Sequence, residues 1–365
     1  MIRHKHELEN LYDGVFYWLQ QQFDPIMGGF YYAKSSVRDD RFYSDIESTA
    51  QAINILLRQQ LLEGMPSALK DKLIYFFQSK QDPNTGYFFD DHPNMPKDEV
   101  MVHRAFHYAI SSLKRLGGEP LYKLPLEKRK APAYTDSLSA YQAKWKGIDL
   151  RNSWRGCDLL ASSLVYVNQM ELEKQRIYVK ALEEFLASIQ DEETGLWGGS
   201  GSLYVRISGA FKLHTFYRRN QIPMPNQEKI YQSILLSLRT EEAVDMCYIR
   251  NPIDLLAYLE IEISEQELDE ITFITIQNLK QLKRKDGAFS REINGSPSAP
   301  NVAQIKEDDY YPDMPDPVEL GLGLVEGDMN ATTQATLIRK QLHQLWSEKP
   351  EPLISSEQFW QTWQT

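Results

Sequence analysis

The sequence predicts an all-α protein in which six helical hairpins close into a single (α/α)6 toroid around a central cavity. Two observations predict this fold. A turn pattern recurs along the chain, and apolar residues at helical spacing precede and follow it, which is typical of repeated hairpins. No segment shows the alternation of apolar and polar residues that marks a half-buried strand. The hairpins fill residues 1–365, which favours one domain, although roughly 150 residues per domain would suggest two.

The repeated turn occurs in four segments. Each copy begins with Gln, has Gly after four or five intervening residues and ends with an aromatic residue two positions beyond the Gly; the copies span residues 22–30, 81–88, 190–197 and 281–289. Asp-Pro or Asp-Glu favours a turn, and Gly after a helix commonly takes a left-handed conformation. The four glycines are therefore predicted to end the first helix of a hairpin in that conformation.

A second helix is predicted after each turn, over residues 46–57, 100–113, 204–217 and 329–345. Two further helix pairs lack the turn pattern, namely 134–144 with 153–167 and 229–238 with 248–259. The second helices are apolar on most faces, as expected for helices that other helices contact on several sides. They are predicted to form the inner ring of the toroid.

Composition and charge restrict the function classes. A net charge of −11 argues against nucleic acid and against an anionic membrane surface as the main partner. Cys157 and Cys247 are too few for a disulfide framework, and the N-terminal residues contain no apolar signal segment. We therefore expect a cytoplasmic monomer or homodimer without a membrane span, with transient membrane contact left open. Aromatic residues make up 12% of the chain, which predicts that a cavity or a core is built from rings.

The predicted inner helices of the first and sixth hairpins start alike. Asp, Thr, Gln and Ala recur at the same spacing in residues 45–52 and 328–335. Asp is a preferred N-cap residue, so capping alone explains Asp45 and Asp328. A carboxyl group in a closed apolar cavity, by contrast, keeps its proton near neutral pH and can act as a general acid. The sequence leaves both roles open for these two aspartates.

The third turn, residues 190–197, fits the QW motif of squalene–hopene cyclase and related triterpene cyclases, and the other turns are degenerate copies. In that family the motif joins an outer helix to the next helix by stacking an amide on an aromatic ring. Class II terpene cyclases also carry an Asp-x-Asp-Asp-Thr-Ala motif, which this chain resembles in part. Glu326 matches the first acid and Asp328 the middle one, while Met329 and Asn330 replace the third Asp and the Thr. The chain most resembles the single-domain bacterial cyclases of meroterpenoids.

The resemblance implies a protonation-initiated cyclase that converts a linear prenyl chain, attached to an aromatic acid, into a polycyclic product. Asp328 would be the general acid, with Glu326 beside it, and Asp45 would be the next candidate. Asn330 and Thr332 would hydrogen-bond one of its carboxyl oxygens. The resemblance implies no cofactor and no metal, and the sequence contains no Asp-Asp-x-x-Asp motif for a metal-bound diphosphate.

Rings on the inner helices would guide the carbocations, because an aromatic face attracts a cation by roughly 0.5–2 kcal/mol. The candidate substrate-binding residues, which core packing also explains, are His103, Phe106, Trp154, Phe211 and Tyr248. Candidates for binding the polar head group are Arg155, Arg206 and His214. Residues 294–317, rich in Pro, Gly, Asp and Ser, are predicted to be either a lid over the cavity mouth or a surface loop.

Three other functions stay open. Residues 244–248 resemble the segment that supplies two zinc ligands in protein prenyltransferase β-subunits, but the next inner helix does not begin with the His that would be the third ligand. A six-hairpin glycosidase would use Asp45 and Asp328 as its pair of carboxylates. A toroid that only binds a lipid or a partner protein would keep the aromatic lining and would not need Asp328.

Overall fold

The computed structural model describes residues 4–199, 201–299 and 315–363. These residues form helices, turns and isolated antiparallel bridges, without a β-strand among them. The predicted all-α class is confirmed. Within the same ranges, no helix has both the length and the apolar character needed to cross a bilayer. Of the predicted lid or surface loop, residues 300–314 lie outside the described residues.

The helices are numbered in chain order through the described part of the chain. They are α1 (Lys5–Asn10), α2 (Val15–Gln21), α3 (Lys34–Arg38), α4 (Ile46–Arg58), α5 (Ser67–Ser79), α6 (Glu99–Leu116), α7 (Leu138–Lys146), α8 (Ser153–Ser163), α9 (Leu172–Ser188), α10 (Leu203–Asn220), α11 (Gln227–Thr240), α12 (Met246–Leu256), α13 (Glu265–Leu282), α14 (Met329–Leu345) and α15 (Ser356–Gln361). Short 3-10 helices occur at Met95–Lys97, Ala133–Thr135 and Val167–Gln169.

The predicted second helices correspond to α4, α6, α10 and α14, and the prediction of 329–345 is correct at both ends. Boundaries differ most where the turn pattern is missing. The predicted helix 134–144 begins only at Leu138, because the Ser137 side chain caps it there and accepts a hydrogen bond from a backbone N–H of the first turn. Its expected first residues instead form the separate 3-10 turn Ala133–Thr135.

Six helices pack in a closed cycle of neighbours. The contacts run from α4 to α6, α8, α10, α12 and α14, and α14 in turn packs against α4. Other helices flank this cycle: α5 packs on α6, α11 on α10, and α13 on both α12 and α14. The contact between α14 and α4 joins segments that are far apart in sequence; Asn330, for example, donates a hydrogen bond to Glu47, 283 positions earlier.

All six helices of the cycle begin with a side chain that accepts a hydrogen bond from a backbone N–H of the first turn. Such a cap satisfies an N–H group that has no partner inside the helix, and removing it costs about 1 kcal/mol. The capping residues are Asp45, Asp98, Asn152, Ser202, Asp245 and Asp328. Asp45 and Asp328 thus share their position with two other aspartates.

The four repeated turns close in the same way. An antiparallel bridge joins the start of each turn to its aromatic residue, and the pairs are Phe23–Phe30, Gln81–Phe88, Gln190–Trp197 and Lys283–Phe289. The glycines of the turns have φ of 86°, 81°, 69° and 101°, so the predicted left-handed conformation is confirmed. Each glycine lies five to seven residues beyond the end of its helix, however, so it belongs to the turn rather than to the helix end.

These bridges correct the register of the first and fourth turns. Phe23 and Lys283 occupy the position that Gln81 and Gln190 occupy in the other two turns. The sequence pattern predicts Gln22 and Gln281 at this position. In the structure they lie one and two residues before it, respectively.

Candidate functional site

A cavity of about 490 Å³ is lined by side chains from all six helices of the cycle. This volume is within the range of roughly 300–1,000 Å³ that is typical of small-molecule sites. His107, Thr215 and Arg219 are the exposed residues of the described lining. Thr215 and Arg219 lie in the C-terminal half of α10, so the cavity opens toward the C-terminal ends of the helices.

The lining follows the helical repeat. Phe211, Thr215 and Arg219 contribute from α10 at intervals of four residues, and Asn54 and Arg58 do the same from α4. Side chains three or four positions apart share one face of a helix. Each helix therefore presents a narrow stripe to the cavity, and these stripes are more polar than the aromatic lining expected from the sequence.

A row of hydrogen bonds crosses the cavity wall from α6 to α12. Arg104 Nη2 donates to Glu47 Oε1 at 2.5 Å, and Asn330 Nδ2 donates to the same oxygen at 3.3 Å. Gln334 Nε2 then donates to Asn330 Oδ1 at 2.6 Å, and Arg250 Nε donates to Gln334 Oε1 at 3.1 Å. Four helices of the cycle are thereby joined, through Glu47 behind the wall and through Arg104, Asn330, Gln334 and Arg250, which line the cavity.

The remaining two helices are joined by a charged cluster. Lys212 Nζ of α10 lies 2.8 Å from Asp158 Oδ1 of α8, and Arg104 Nη1 lies 4.0 Å from Asp158 Oδ2. Burial favours the neutral carboxyl, but the two cations outweigh it and lower the pKa of Asp158. Asp158 is therefore an ionised counter-ion and a poor proton donor. We call this set the polar belt; its members are Glu47, Arg104, Asp158, Lys212, Arg250, Asn330 and Gln334.

Aromatic side chains cover other parts of the wall. His103, Trp154 and Phe211, three of the five rings singled out from the sequence, line the cavity. The guanidinium carbon of Arg250 lies 3.8 Å from the ring centroid of Phe211. Burial lowers the pKa of His103 to about 4, so this ring is neutral near pH 7. The lining thus contains rings in direct contact with cations.

The other two rings lie outside the described lining of the cavity. Phe106 is buried, with its ring centroid 6.0 Å from that of Tyr87. Tyr248 stacks on Tyr204 with a centroid separation of 5.1 Å and an interplanar angle of 6°. Both contacts are those of packed core residues.

Asp328 is fully buried at the start of α14 and is not part of the cavity lining. Its Oδ1 accepts a hydrogen bond from the backbone N–H of Ala331 at 2.7 Å. Its Oδ2 accepts from the backbone N–H of Arg291 at 2.7 Å and from Ser296 Oγ at 2.6 Å. Burial nevertheless raises the pKa of Asp328 to about 6, although the donors favour the ionised form. The Asp328 carboxyl group thus has a pKa raised toward that of a general acid, and it also makes the hydrogen bonds of a helix cap.

The residues expected to surround Asp328 have other partners. Glu326 accepts a hydrogen bond from the backbone N–H of Ser35 at 2.9 Å. Thr332 Oγ1 accepts from a backbone N–H of the fourth turn at 3.2 Å. Asn330 belongs to the polar belt and lines the cavity. The donors to the Asp328 side chain are instead the Ala331 N–H of α14 and, from the segment between α13 and α14, the Arg291 N–H and Ser296 Oγ.

Asp45, the second candidate acid, also lies outside the cavity lining. Its Oδ1 accepts a hydrogen bond from the Ser48 N–H at 2.7 Å, while Oδ2 is buried and has no partner among the described residues. Burial, together with the charge of Asp90, raises the pKa of Asp45 well above its ordinary value. A buried oxygen without a donor is consistent with a carboxyl group that keeps its proton.

The candidate head-group residues bind acids and polar groups outside the lining. Arg155 pairs with Asp98 at 3.2 Å, and Arg206 Nη2 donates to Thr194 Oγ1 at 2.8 Å. His214 Nε2 lies 3.9 Å from Asp254.

In the zinc-like segment, Asp245 pairs with Arg291 at 3.2 Å, and Cys247 lines the cavity. No group of three His, Cys, Asp or Glu side chains placed to hold a metal ion occurs within the described ranges.

Sequence reasoning did not single out the charged residues of the polar belt or Arg58. Their spacing was nevertheless visible, because Asp158 follows Trp154 by one helical turn and Lys212 directly follows Phe211. Extending the stripes of Trp154 and Phe211 by one helical turn identifies Asp158 and Thr215 as further lining residues.

No family model matches the chain, and no curated protein matches it. Among solved structures, a crystal structure of a protein from Actinoplanes aligns over 94% of this chain and 99% of that chain, with 13% sequence identity and a TM-score of 0.45.

Proposed function

We propose that the chain is a single (α/α)6 toroid in which α4, α6, α8, α10, α12 and α14 form the inner ring. The closed cycle of helix contacts supports this arrangement. The turns support it as well. Gln81 Nε2 donates to the carbonyl of Tyr122, before α7, and Gln190 Nε2 donates to that of Pro225, before α11. Lys283 Nζ donates to the carbonyl of Asp13, before α2, so the last hairpin is tied to the first.

The proposed activity is that of a class II terpene cyclase acting on a prenyl chain attached to an aromatic acid. The observation that carries the proposal is the cavity, which six helices surround and which His103, Trp154 and Phe211 line with rings. Such rings attract carbocations without quenching them readily, each by roughly 0.5–2 kcal/mol. In the proposed reaction a carboxyl proton adds to the terminal alkene, the cation passes along the chain as rings close, and loss of a proton ends the sequence.

Asp328 is the proposed acid because burial raises its pKa to about 6, which leaves a fraction of it protonated at neutral pH. Its neighbours in sequence and space, Asn330 and Arg291, do line the cavity. The reactive end of the substrate would therefore lie at the N-terminal end of α14, away from the opening beside Arg219.

A second candidate function is favoured by a specific observation. Both carboxyl oxygens of Asp328 accept hydrogen bonds, three in all, as expected of an ionised helix cap. A toroid that binds an amphiphilic molecule without converting it would need this cap and no acid.

The test is incubation of the purified protein with farnesylated and geranylgeranylated hydroxybenzoates, the corresponding diphosphates and squalene, with products identified by mass spectrometry and NMR. A cyclase yields cyclic isomers of unchanged mass. Asp328→Asn is expected to reduce cyclisation at least a hundredfold while ligand binding stays within about twofold. If this variant retains more than a tenth of the activity, which corresponds to under ~1.4 kcal/mol on the barrier, Asp328 is only a cap. Binding without any product supports the second candidate.

A further inference from the structure

The cavity carries more positive charge than its own carboxylates balance. Among the described residues, six basic side chains line it: Arg58, Arg104, Lys212, Arg219, Arg250 and Arg291. Three of them are paired, Arg104 with Glu47, Lys212 with Asp158 and Arg291 with Asp245. Arg58, Arg219 and Arg250 form no ion pair within 4.0 Å with a carboxylate among the described residues. Within the described part of the chain, the excess is three cations around one small cavity.

Arg250 is held in place by neutral partners. Its Nε donates to Gln334, and its guanidinium lies over the ring of Phe211. Burial lowers the pKa of Arg250, which means that its positive charge is poorly solvated where it stands. An anion entering the cavity would provide the solvation that is missing.

Arg58 approaches the cavity from α4 and is likewise held by neutral groups. Its Nη1 donates to the carbonyl of Thr333 at 2.9 Å, to Thr333 Oγ1 at 3.0 Å and to Thr336 Oγ1 at 3.0 Å. Burial lowers the pKa of Arg58 to about 10, and the charge of Arg250 acts in the same direction. The two guanidinium groups therefore repel one another, and a shared anion would relieve that repulsion.

Asp254 is the acid whose charge acts on both guanidinium groups. Its carboxylate is already engaged, since it accepts a hydrogen bond from Gln341 and lies 3.9 Å from both His214 and Arg218. It is not part of the cavity lining. Its charge favours the cationic form of both guanidinium groups from outside the cavity wall.

Another part of the same cavity wall is apolar. Leu164, Val165, Val167, Val179 and Phe216 line it, alongside the rings described above. A wall of this composition fits a hydrocarbon chain, while the guanidinium groups fit a compact anion with two or more oxygens. The lining therefore matches an amphiphile with one charged end.

We infer that Arg58 and Arg250 bind the anionic head group of the substrate, a carboxylate or a phosphate, with Arg219 at the entrance. This inference rests on the proposed function for the identity of the apolar part. It differs from the sequence-based expectation, which assigned the head group to Arg155, Arg206 and His214. Arg58 ends α4 and Arg219 lies near the end of α10, which places the head group on the side of the opening. The prenyl chain then extends toward Trp154 at the start of α8.

The test measures dissociation constants by calorimetry for geranylgeranylated 4-hydroxybenzoate, its methyl ester, geranylgeranyl diphosphate, unprenylated 4-hydroxybenzoate and inorganic phosphate. The variants are Arg58→Gln and Arg250→Gln, with Arg250→Lys to keep the charge. Arg239→Gln is the matched control, because Arg239 pairs with Glu270 at the surface and lies outside the lining. Thermal unfolding of each variant verifies that it is folded.

We expect Arg58→Gln and Arg250→Gln to weaken binding of the prenylated acid at least tenfold and binding of its methyl ester less than twofold. Arg250→Lys should recover part of the loss, and Arg239→Gln should change neither. Comparison of the acid with the diphosphate identifies which anion the site prefers. Equal weakening of acid and ester in the glutamine variants overturns the inference.

The two proposals fail separately. If no prenylated compound binds but 4-hydroxybenzoate or phosphate does, and Arg250→Gln abolishes that binding, the anion site stands and the proposed substrate is wrong. If the prenylated acid is bound and cyclised and both glutamine variants bind it normally, the proposed function stands and the anion site is wrong. If none of the five compounds binds the wild-type protein, both are wrong.

Discussion

Lys283 makes the same two contacts in the fourth turn that Gln190 makes in the third. Lys283 Nζ donates to the carbonyl of Gly287, and Gln190 Nε2 donates to that of Gly195, both at 2.7 Å. Each side chain also donates to a carbonyl just before another helix, α2 for Lys283 and α11 for Gln190. An ammonium group and an amide serve equally well because both supply more than one N–H donor.

The first prediction concerns the hydrogen bonds of Gln190. Replacing Gln190 by Ala removes both bonds to carbonyl groups and also the acceptor for Asn226 Nδ2, which donates to it at 2.7 Å. We expect a loss of about 1–3 kcal/mol in the free energy of unfolding, because buried partners are left unsatisfied. Gln281→Ala is the control, since Gln281 is exposed, and it should cost under about 0.5 kcal/mol. Equal costs, measured by urea unfolding, would contradict the register found for the turns.

The second prediction concerns the pH dependence of stability. The pKa of Asp328 rises from 3.8 to about 6 on folding, so the folded state favours the protonated carboxyl. Its contribution to stability is complete below pH 3.8 and is lost as pH rises through 6. Wild type should therefore lose up to about 3 kcal/mol relative to Asp328→Asn between pH 4 and 7, at about 1.36 kcal/mol per pKa unit.

Asp158→Asn provides the control of opposite sign. The neighbouring cations lower the pKa of Asp158, so its contribution is present above its unfolded pKa and is lost as pH falls. Unfolding free energies of wild type and both variants, measured from pH 3 to 7.5, should show the two differences changing in opposite directions. A difference for Asp328→Asn that does not change with pH would mean that its pKa is unperturbed.

The third prediction concerns the polar belt. Glu47→Gln removes the charge that pairs with Arg104 and leaves a buried guanidinium near Asp158 alone. We expect a loss of about 3 kcal/mol in unfolding free energy, because breaking a buried pair leaves an uncompensated charge. Glu270→Gln breaks the surface pair with Arg239 and should cost under about 1 kcal/mol. Chemical unfolding of both variants checks this, and similar losses would show that the belt is not a stabilising network.

The fourth prediction separates rings of the cavity wall from rings of the core. Phe211→Leu should weaken binding of a geranylgeranylated hydroxybenzoate severalfold, because Phe211 lines the cavity, while the cost in stability stays near 1 kcal/mol. Phe106→Leu should lower the unfolding free energy by about 1–2 kcal/mol and leave binding unchanged, since Phe106 packs on Tyr87 and Phe88. If Phe106→Leu weakened binding and Phe211→Leu did not, the assignment of Phe211 to the cavity wall and of Phe106 to the core would be wrong.

Sequence patterns predicted the helices better than the site. Helix 329–345 could be located because Asp328 caps it and its apolar residues follow the helical period. The register of the fourth turn could not be predicted from the sequence. Lys283 takes the place of Gln there because its ammonium group donates the same two hydrogen bonds, although Lys and Gln are different residue types. The cavity was found only in part: Trp154 and Phe211 attract attention as rings, whereas Arg58 and Arg250 resemble ordinary surface residues until their neighbours across the cavity are known.

The contact between α4 and α14 has a consequence for the order of events during synthesis. The helices of the cycle emerge from the ribosome one after another, and each can pack on its predecessor at once. The last contact pairs residues such as Arg58 and Thr333, which are 275 positions apart, so it must wait until α14 has been made. Until then α4 exposes the flank that α14 will cover. A growing chain therefore passes through an incomplete cycle in which one flank of α4 is exposed. Because contacts between residues far apart in sequence form slowly, we expect chaperones to bind this flank or two nascent chains to associate through it.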